Sequence, residues 1–443
     1  PPVVAKGPAP PGEGYNPPSR RPPSPFPGWI PMRNGRSDLI HDWNDGTGLP
    51  YGRTRPLVND ETLRDGLQSP SVRHPTADEM VEILHAIQST GIDALNIGLP
   101  GAGPHVVATT KRLAEEIRDC KMRVKPNCAA RTVVQDIEPI RRIIEETGVS
   151  IEVAMFIGSS PIRLEVEGWD VDHLLKTSEI ALKYAADHRL PVMYVTEDTT
   201  RADPDTVRRL YGLALDMGAE RLVVCDTCGH ATPDGARRLV AFVRQVAREH
   251  GKPDVQIDWH GHNDRGLSVI NSIAAYEGGA DRLHAAGLGI GERAGNCPMD
   301  QLLVNLKLLG WWPEDRPLTG LKDYVSKISQ HCHVPVPFNY PVVGHDAFET
   351  GTGVHAAAVI KALKRGDRWL ANRVYSGVPA DDFGYEQHIA VGPMSGKSNV
   401  VWWLERHGFV ADDARVTRLF NAAKSSDRVL TEGELRELAT AGA

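Results

Sequence analysis

Cysteine is scarce in this chain: Cys120, Cys128, Cys225, Cys228, Cys297 and Cys332 are scattered irregularly through 443 residues. That excludes a disulfide-built scaffold and fits thiols kept reduced. Positive charge is not in excess either. A formal net charge of −7 argues against general binding to nucleic acid or anionic membranes and toward small-molecule partners. No apolar run reaches the ~20 residues of a membrane-crossing helix, and no signal-peptide pattern is evident, so the cytoplasm is the expected location. What remains is an ordinary globular composition, 41% hydrophobic and 24% charged, in a chain long enough to bury one large catalytic core with attachments.

Residues 1–50 carry many prolines and glycines with little apolar periodicity, as in Pro22-Pro23-Ser24-Pro25-Phe26-Pro27-Gly28. They read as an extended arm, with Trp29, Ile30 and Trp43 available to pin it. From Pro56 onward, short β-branched runs alternate with longer amphipathic stretches, the rhythm of parallel strands joined by crossover helices. Strands are expected over 56–61, 94–99, 123–128, 150–157, 191–196, 221–226, 254–260 and 282–288. Eight of them at this spacing predict an α/β fold, a closed (β/α)8 TIM barrel over 51–318. A helix is expected over 76–90, where Met80, Ile83, Leu84 and Ile87 recur at helical spacing behind Asp78, Glu79 and Glu82. After about 318 the strand rhythm stops, and 319–443 reads as a mostly helical C-terminal region.

The polar clusters stand where the apolar runs end, on the rim that barrel enzymes use for chemistry. The first run closes in Asp60-Glu61-Thr62-Leu63-Arg64-Asp65-Gly66. Arg64 can hold a developing enolate and Asp65 can bind a cation; the alternative is a surface ion pair before a glycine turn. The seventh closes in His260-Gly261-His262-Asn263-Asp264. Two histidines at i and i+2 on a strand point the same way, so both can reach one metal ion. Asn296, in Gly291-Glu292-Arg293-Ala294-Gly295-Asn296, can complete that shell, or sit in a plain glycine-rich turn. Cys225-Asp226-Thr227-Cys228 has no second Cys-x-x-Cys to make a zinc site, so Thr227 is read as a donor to a substrate carboxylate. Glu197, in Glu197-Asp198-Thr199-Thr200-Arg201, is a candidate for orienting substrate or moving a proton.

Together these segments resemble the family of isopropylmalate synthase, homocitrate synthase and citramalate synthase, with the related hydroxymethylglutaryl-CoA lyase. The similarity runs from about residue 56 to about 310 and rests on Thr62-Leu63-Arg64-Asp65-Gly66, Glu197 to Arg201, His260 to Asp264 and Gly291 to Asn296. Beyond the barrel, Gly353-Val354-His355-Ala356 resembles the segment with the synthases' catalytic histidine. Tyr375 with Asp382 and Gly384 resembles their tyrosine stretch, and Ser395-Gly396-Lys397-Ser398 matches a further landmark. The resemblance implies a homodimer in which His355 is supplied by the neighbouring subunit. The stretch after Ser395 is too short for a leucine-sensing domain, so feedback of that kind is not expected. Arg163, in Ser159-Ser160-Pro161-Ile162-Arg163, stands where isopropylmalate synthases carry a histidine and homocitrate synthases place an arginine nearby. An arginine fork suits a second carboxylate or a phosphonate; the alternative is a rim arginine facing solvent.

The expected activity is a metal-dependent Claisen-type condensation of acetyl-CoA with a 2-oxo acid, followed by thioester hydrolysis. Asp65, His260, His262 and Asn296 are the expected holders of a divalent cation, with magnesium, manganese and zinc all admitted by a mixed oxygen and imidazole shell. Thr227, Arg163, Ser160 and Arg131 are expected on the substrate, and Arg64, Glu197, His355 and Tyr375 in the chemistry. The alternative is a carbon-carbon lyase of the hydroxymethylglutaryl-CoA type. That branch uses a cysteine-containing glycine-rich lid after the last strand, where this chain has Gly295-Asn296-Cys297-Pro298.

Overall fold

The computed structural model describes residues 39–40 and 54–441; the expected arm over 1–50 lies almost wholly outside them. Eight strands follow one another around a closed, parallel barrel: β1 (Leu57–Asp60), β2 (Ala94–Asn96), β3 (Lys125–Arg131), β4 (Glu152–Gly158), β5 (Val192–Glu197), β6 (Arg221–Asp226), β7 (Gln256–Gly261) and β8 (Arg282–Ala285). Closure is made by β1 pairing with β8, Leu57 opposite Arg282 and Asp60 opposite Ala285. All eight expected strands are present. β3 runs three residues further than expected, to Arg131, and β8 ends at Ala285, three residues early, because Gly287–Gly289 turns as a 3-10 helix.

The shell is made by α1 (Ala77–Thr90), α2 (Pro104–Asp119), α3 (Val134–Thr147), α4 (Pro161–Glu167), α5 (Val171–Asp187), α6 (Pro204–Asp216), α7 (Pro233–Glu249), α8 (Ser268–Gly278), α9 (Met299–Leu308) and α10 (Leu321–Cys332). In α1, Thr76 and Glu79 form a capping box and Gly91 ends the helix at φ 80°, the left-handed position a glycine takes without steric cost. Ile83, Leu84 and Ile87 are fully buried, each contributing about 1.5–3 kcal/mol of burial. Although α10 follows residue 318, it packs on this shell. Tyr324 Oη donates to Asp60 Oδ2 at 2.5 Å, Arg73 Nε donates to the His331 carbonyl at 3.0 Å, and Lys327 pairs with Glu82 at 2.8 Å.

The remaining chain builds α11 (Gly353–Lys364), α12 (Arg368–Ala371), α13 (Lys397–Arg406), α14 (Asp413–Ser425) and α15 (Glu432–Thr440), with a two-stranded parallel ladder of β9 (Glu349–Thr350) and β10 (His388–Ile389). Its last three helices share a core of their own around Trp403, Leu404, Leu419 and Leu435.

Side chains alternate across a strand with period 2, and this sorts the barrel interior. At the end where the strands begin, charges replace an apolar plug: Arg282 donates to Asp258 at 2.7 Å and Glu152 at 2.9 Å, and Arg221 to Asp258 at 2.8 Å and Glu152 at 3.1 Å. Above it lies an apolar layer of Ala154, Met193, Val223 and Cys225. One more step up, the same inward registers deliver Glu197, Thr227, His260 and His262 to the mouth.

Candidate active site at the barrel mouth

The mouth holds a cavity of about 190 Å³ lined by Arg64, Asp65, Glu197, Thr227, His260 and His262, with Glu61, His284 and Asn96 deeper in the wall. A larger cavity of about 930 Å³ lies among the C-terminal elements, bounded by residues such as Arg368, His388 and Trp402. None of the sequence-predicted site residues lines it, so the chemistry-bearing groups single out the smaller one.

At its centre Asp65, His260 and His262 bring one ligand atom each within 4.8 Å of one another. Asp65 Oδ2 is 3.5 Å from His262 Nε2 and 3.9 Å from His260 Nε2, and the two Nε2 atoms are 3.4 Å apart. Ligands about 2.0–2.2 Å from a tetrahedral ion stand roughly 3.3–3.6 Å from each other, so these separations fit a divalent cation with little adjustment. Protonation fits as well. Burial pushes His260 down to about 3 and lowers His262, keeping the imidazoles neutral with a lone pair for a ligand. Asp65 is held ionised: burial opposes this, but Arg64 and the two histidines lower its pKa well below the usual carboxylate range.

A second trio, Glu61, His260 and His284, is equally compact. It is the poorer metal site, because both His284 nitrogens are engaged: Nδ1 with Glu61 at 3.0 Å and Nε2 with Asp258 at 2.8 Å. Two carboxylates on one ring require both nitrogens to donate, and these hydrogen bonds raise the His284 pKa against the effect of burial. Glu61 takes Arg64 on its other oxygen at 2.6 Å; burial would raise its pKa, but Arg64 and His284 bring it down to about 2. Arg64 then spans Glu61 and Asp65, both at 2.6 Å, with its buried Nε left without a partner. Sequence reasoning named Arg64 and Asp65 but missed Glu61, His284 and Asp258. The alternation of Asp258 with His260, and of Arg282 with His284, was the available signal.

Asn296 does not offer its oxygen to the trio as placed. Its Nδ2 donates to Asp65 Oδ2 at 2.6 Å and to the Ile290 carbonyl at 2.9 Å, which orients the carboxylate. The loop needs Gly295 at φ 85°, because a Cβ there would lie 1.8 Å from the Gly289 carbonyl oxygen. Thr227 Oγ1 accepts the Asp198 N–H at 2.8 Å, leaving its own proton to donate into the cavity. Glu197, at the end of β5, has its pKa raised by burial.

The other expected residues are not brought into the cavity. Arg163 pairs with Glu167 at 2.9 Å, its stem lying across Gly158, where a Cβ would meet Arg163 Cγ at 2.5 Å; its charge still reaches Glu197. Ser160 is buried as the N-cap of α4. Arg131 grips both oxygens of Asp136 at 2.8 Å. His355 and Tyr375 stack on each other, centroids 4.0 Å apart, on the C-terminal elements, and neither lines the mouth.

The family model for HMGL-like proteins matches residues 55–333. Homocitrate synthase of Saccharolobus islandicus (strain L.S.2.15 / Lassen #1) is 31% identical over 386 residues, covering 86% of this chain and 79% of that protein. A probable 2-isopropylmalate synthase of Methanopyrus kandleri is 31% identical over 372 residues, covering 84% and 69%. Among solved structures, the HMG-CoA lyase of Brucella melitensis superposes with a TM-score of 0.52 at 16% identity over 63% of this chain and 99% of that one. The hydroxymethylglutaryl-CoA lyase of Pseudomonas aeruginosa gives 0.52 at 22% identity, over 64% and 93%. At these identities the likeness to the two lyases shows the fold alone.

Proposed function

Because the chain belongs to the HMGL-like family, we propose that it condenses acetyl-CoA with a 2-oxo acid and releases free CoA. It is an enzyme of the acyl-transferring synthase type. The observation that carries the reading is the convergence of Asp65, His260 and His262 beside Arg64, Thr227 and Glu197 in one small cavity.

Asp65, His260 and His262 are the residues to hold a divalent cation, with Asn296 fixing the Asp65 carboxylate. When bound, the cation supplies Lewis-acid polarisation of the keto group and a positive anchor for the neighbouring carboxylate. The Thr227 hydroxyl donates to that carboxylate. Arg64, immobilised between two carboxylates, presents fixed positive charge to the oxyanions that develop as the acetyl methyl loses a proton and its carbon bonds to the keto carbon. Such preorganised charge costs no reorganisation during reaction. Water then cleaves the thioester, giving the new carboxylate and the thiol.

Glu197 is the in-chain candidate for proton transfer, since a carboxyl raised by burial works nearer neutral pH. His355 and Tyr375 enter the same scheme through a homodimer in which one protomer offers its stacked pair to its partner's mouth. Arg163 selects a second acidic group on the oxo acid after exchanging Glu167 for it, which favours a dicarboxylic or phosphonate substrate.

The test is release of thiol from acetyl-CoA with added divalent metal, across 2-oxoisovalerate, 2-oxoglutarate, oxaloacetate, pyruvate and phosphonopyruvate. Turnover with one oxo acid, abolished by chelation, supports the synthase. No thiol release with any of them, in protein that still binds metal at the mouth, sinks it and moves the assignment to the lyase chemistry.

A further inference from the structure

On the outer surface, near the face where the strands begin, α1 and α2 bring together three chemically different donors. Glu116 and Cys120 are four residues apart, one helical turn, so they stand on the same face of α2. Cys120 is its exposed C-cap residue, and His85 reaches across from the middle of α1. His85 Nε2 is 2.8 Å from Glu116 Oε1, and Cys120 Sγ is 3.2 Å from the same oxygen. All three ligand atoms lie within 4.8 Å of one another. The Glu116 carboxylate is held in place, its other oxygen accepting from Arg112 at 2.6 Å.

We propose that His85, Glu116 and Cys120 form a second metal site, for a zinc-class divalent transition ion, that clips α1 to α2. An imidazole nitrogen, a carboxylate oxygen and a thiolate sulfur are the mixed donor set of borderline-soft ions and suit magnesium or calcium poorly. With metal–sulfur bonds near 2.3 Å and metal–nitrogen or metal–oxygen bonds near 2.1 Å, tetrahedral ligands stand roughly 3.3–3.6 Å apart. The present 2.8 and 3.2 Å therefore open by about half an ångström through movement of the exposed His85 and Cys120 side chains. Binding releases the Cys120 thiol proton to solvent and leaves a fourth position for water. Arg112 remains on the outer carboxylate oxygen and balances part of its charge. The ion joins neighbouring barrel helices at the end away from the mouth, so its effect is on the shell. It is independent of the reaction proposed there.

Cobalt(II) is the probe, titrated into the full-length protein. A thiolate ligand gives an intense near-ultraviolet charge-transfer band, which the nitrogen and oxygen donors of Asp65, His260 and His262 cannot produce. The expected result is a band that saturates at one equivalent, is abolished in Cys120→Ser, and in His85→Ala requires at least tenfold more cobalt, no less than the roughly 10–100-fold that loss of a mere supporting contact costs a metal site. Zinc should compete the band away and raise the melting temperature of the native protein more than that of Cys120→Ser. No band in the native protein, a band surviving in Cys120→Ser, or one unmoved by His85→Ala would each overturn the site.

Discussion

Replacing His284 with leucine removes the ring that joins two fully buried carboxylates, Glu61 and Asp258. Each lost contact is a hydrogen bond between charged groups, worth about 1.5–3 kcal/mol, and removing one partner from a buried ionic cluster typically costs about 3–5 kcal/mol. Asp258 keeps Arg221 and Arg282, and Glu61 keeps Arg64 and Asn59, so the loss should stay inside that range. At about 2 °C per kcal/mol for a large chain, the melting temperature should fall by roughly 6–10 °C. Glutamine at the same position can donate to one carboxylate and should lose about half as much.

The pH dependence gives the sharper check. The His284 pKa is raised above 6.5 in the folded protein, so its stabilisation is complete below 6.5 and fades as pH climbs through the raised value. The Glu61 pKa is lowered from 4.5 to about 2, so the stabilisation from its partners is present above 4.5 and is lost as pH falls toward 2. The gap between native protein and His284→Leu should therefore be widest between pH 4.5 and 6.5. Scanning fluorimetry from about pH 4 to about pH 9 measures it. A gap under about 1 kcal/mol, or one flat across that span, would refute the bridging cation.

Asp65→Asn removes the anionic ligand while preserving shape, and manganese titration calorimetry should show at least a hundredfold weaker binding at the mouth, beyond the roughly 10–100-fold of a supporting contact; unchanged affinity would move the metal elsewhere. Arg163→Ala should depress kcat/KM for dicarboxylic oxo acids by about 10- to 100-fold, the worth of a charged hydrogen bond, and leave monocarboxylic ones within about threefold. Equal losses on both would remove Arg163 from substrate selection. Gly295→Ala sets a Cβ against the Gly289 carbonyl at a left-handed φ. It should cost about 1–3 kcal/mol and weaken manganese binding by displacing Asn296, while a neutral outcome in both measurements would show that the loop adapts.

The barrel and its rim chemistry were legible because both follow short-range rules. Strand-helix alternation is written in apolar spacing, and the i and i+2 placement of His260 and His262 on a strand predicts their common direction without any knowledge of neighbours. Asp65 could be set beside them because strand ends in a closed barrel share one rim. The boundary at 318 reflects the same logic at its limit. Strand rhythm ends there, yet Tyr324 and His331 of α10 bind residues near β1, and periodicity carries no record of which shell a helix joins.

Pairing was decided by the tertiary structure alone. Arg131 looks like a substrate ligand until Asp136 is seen holding it, and Arg163 has Glu167 one turn away. Asn296 turns its amide N–H toward Asp65 because the Ile290 carbonyl fixes that orientation. Glu61, just past the end of β1, Asp258 of β7 and His284 of β8 lie 26 to 223 residues apart in the sequence, and only barrel closure between β1 and β8 makes them one hydrogen-bonded string. Local sequence sets which way a side chain points; which opposite charge waits there depends on distant strands meeting in register, and that register exists only once the sheet has closed.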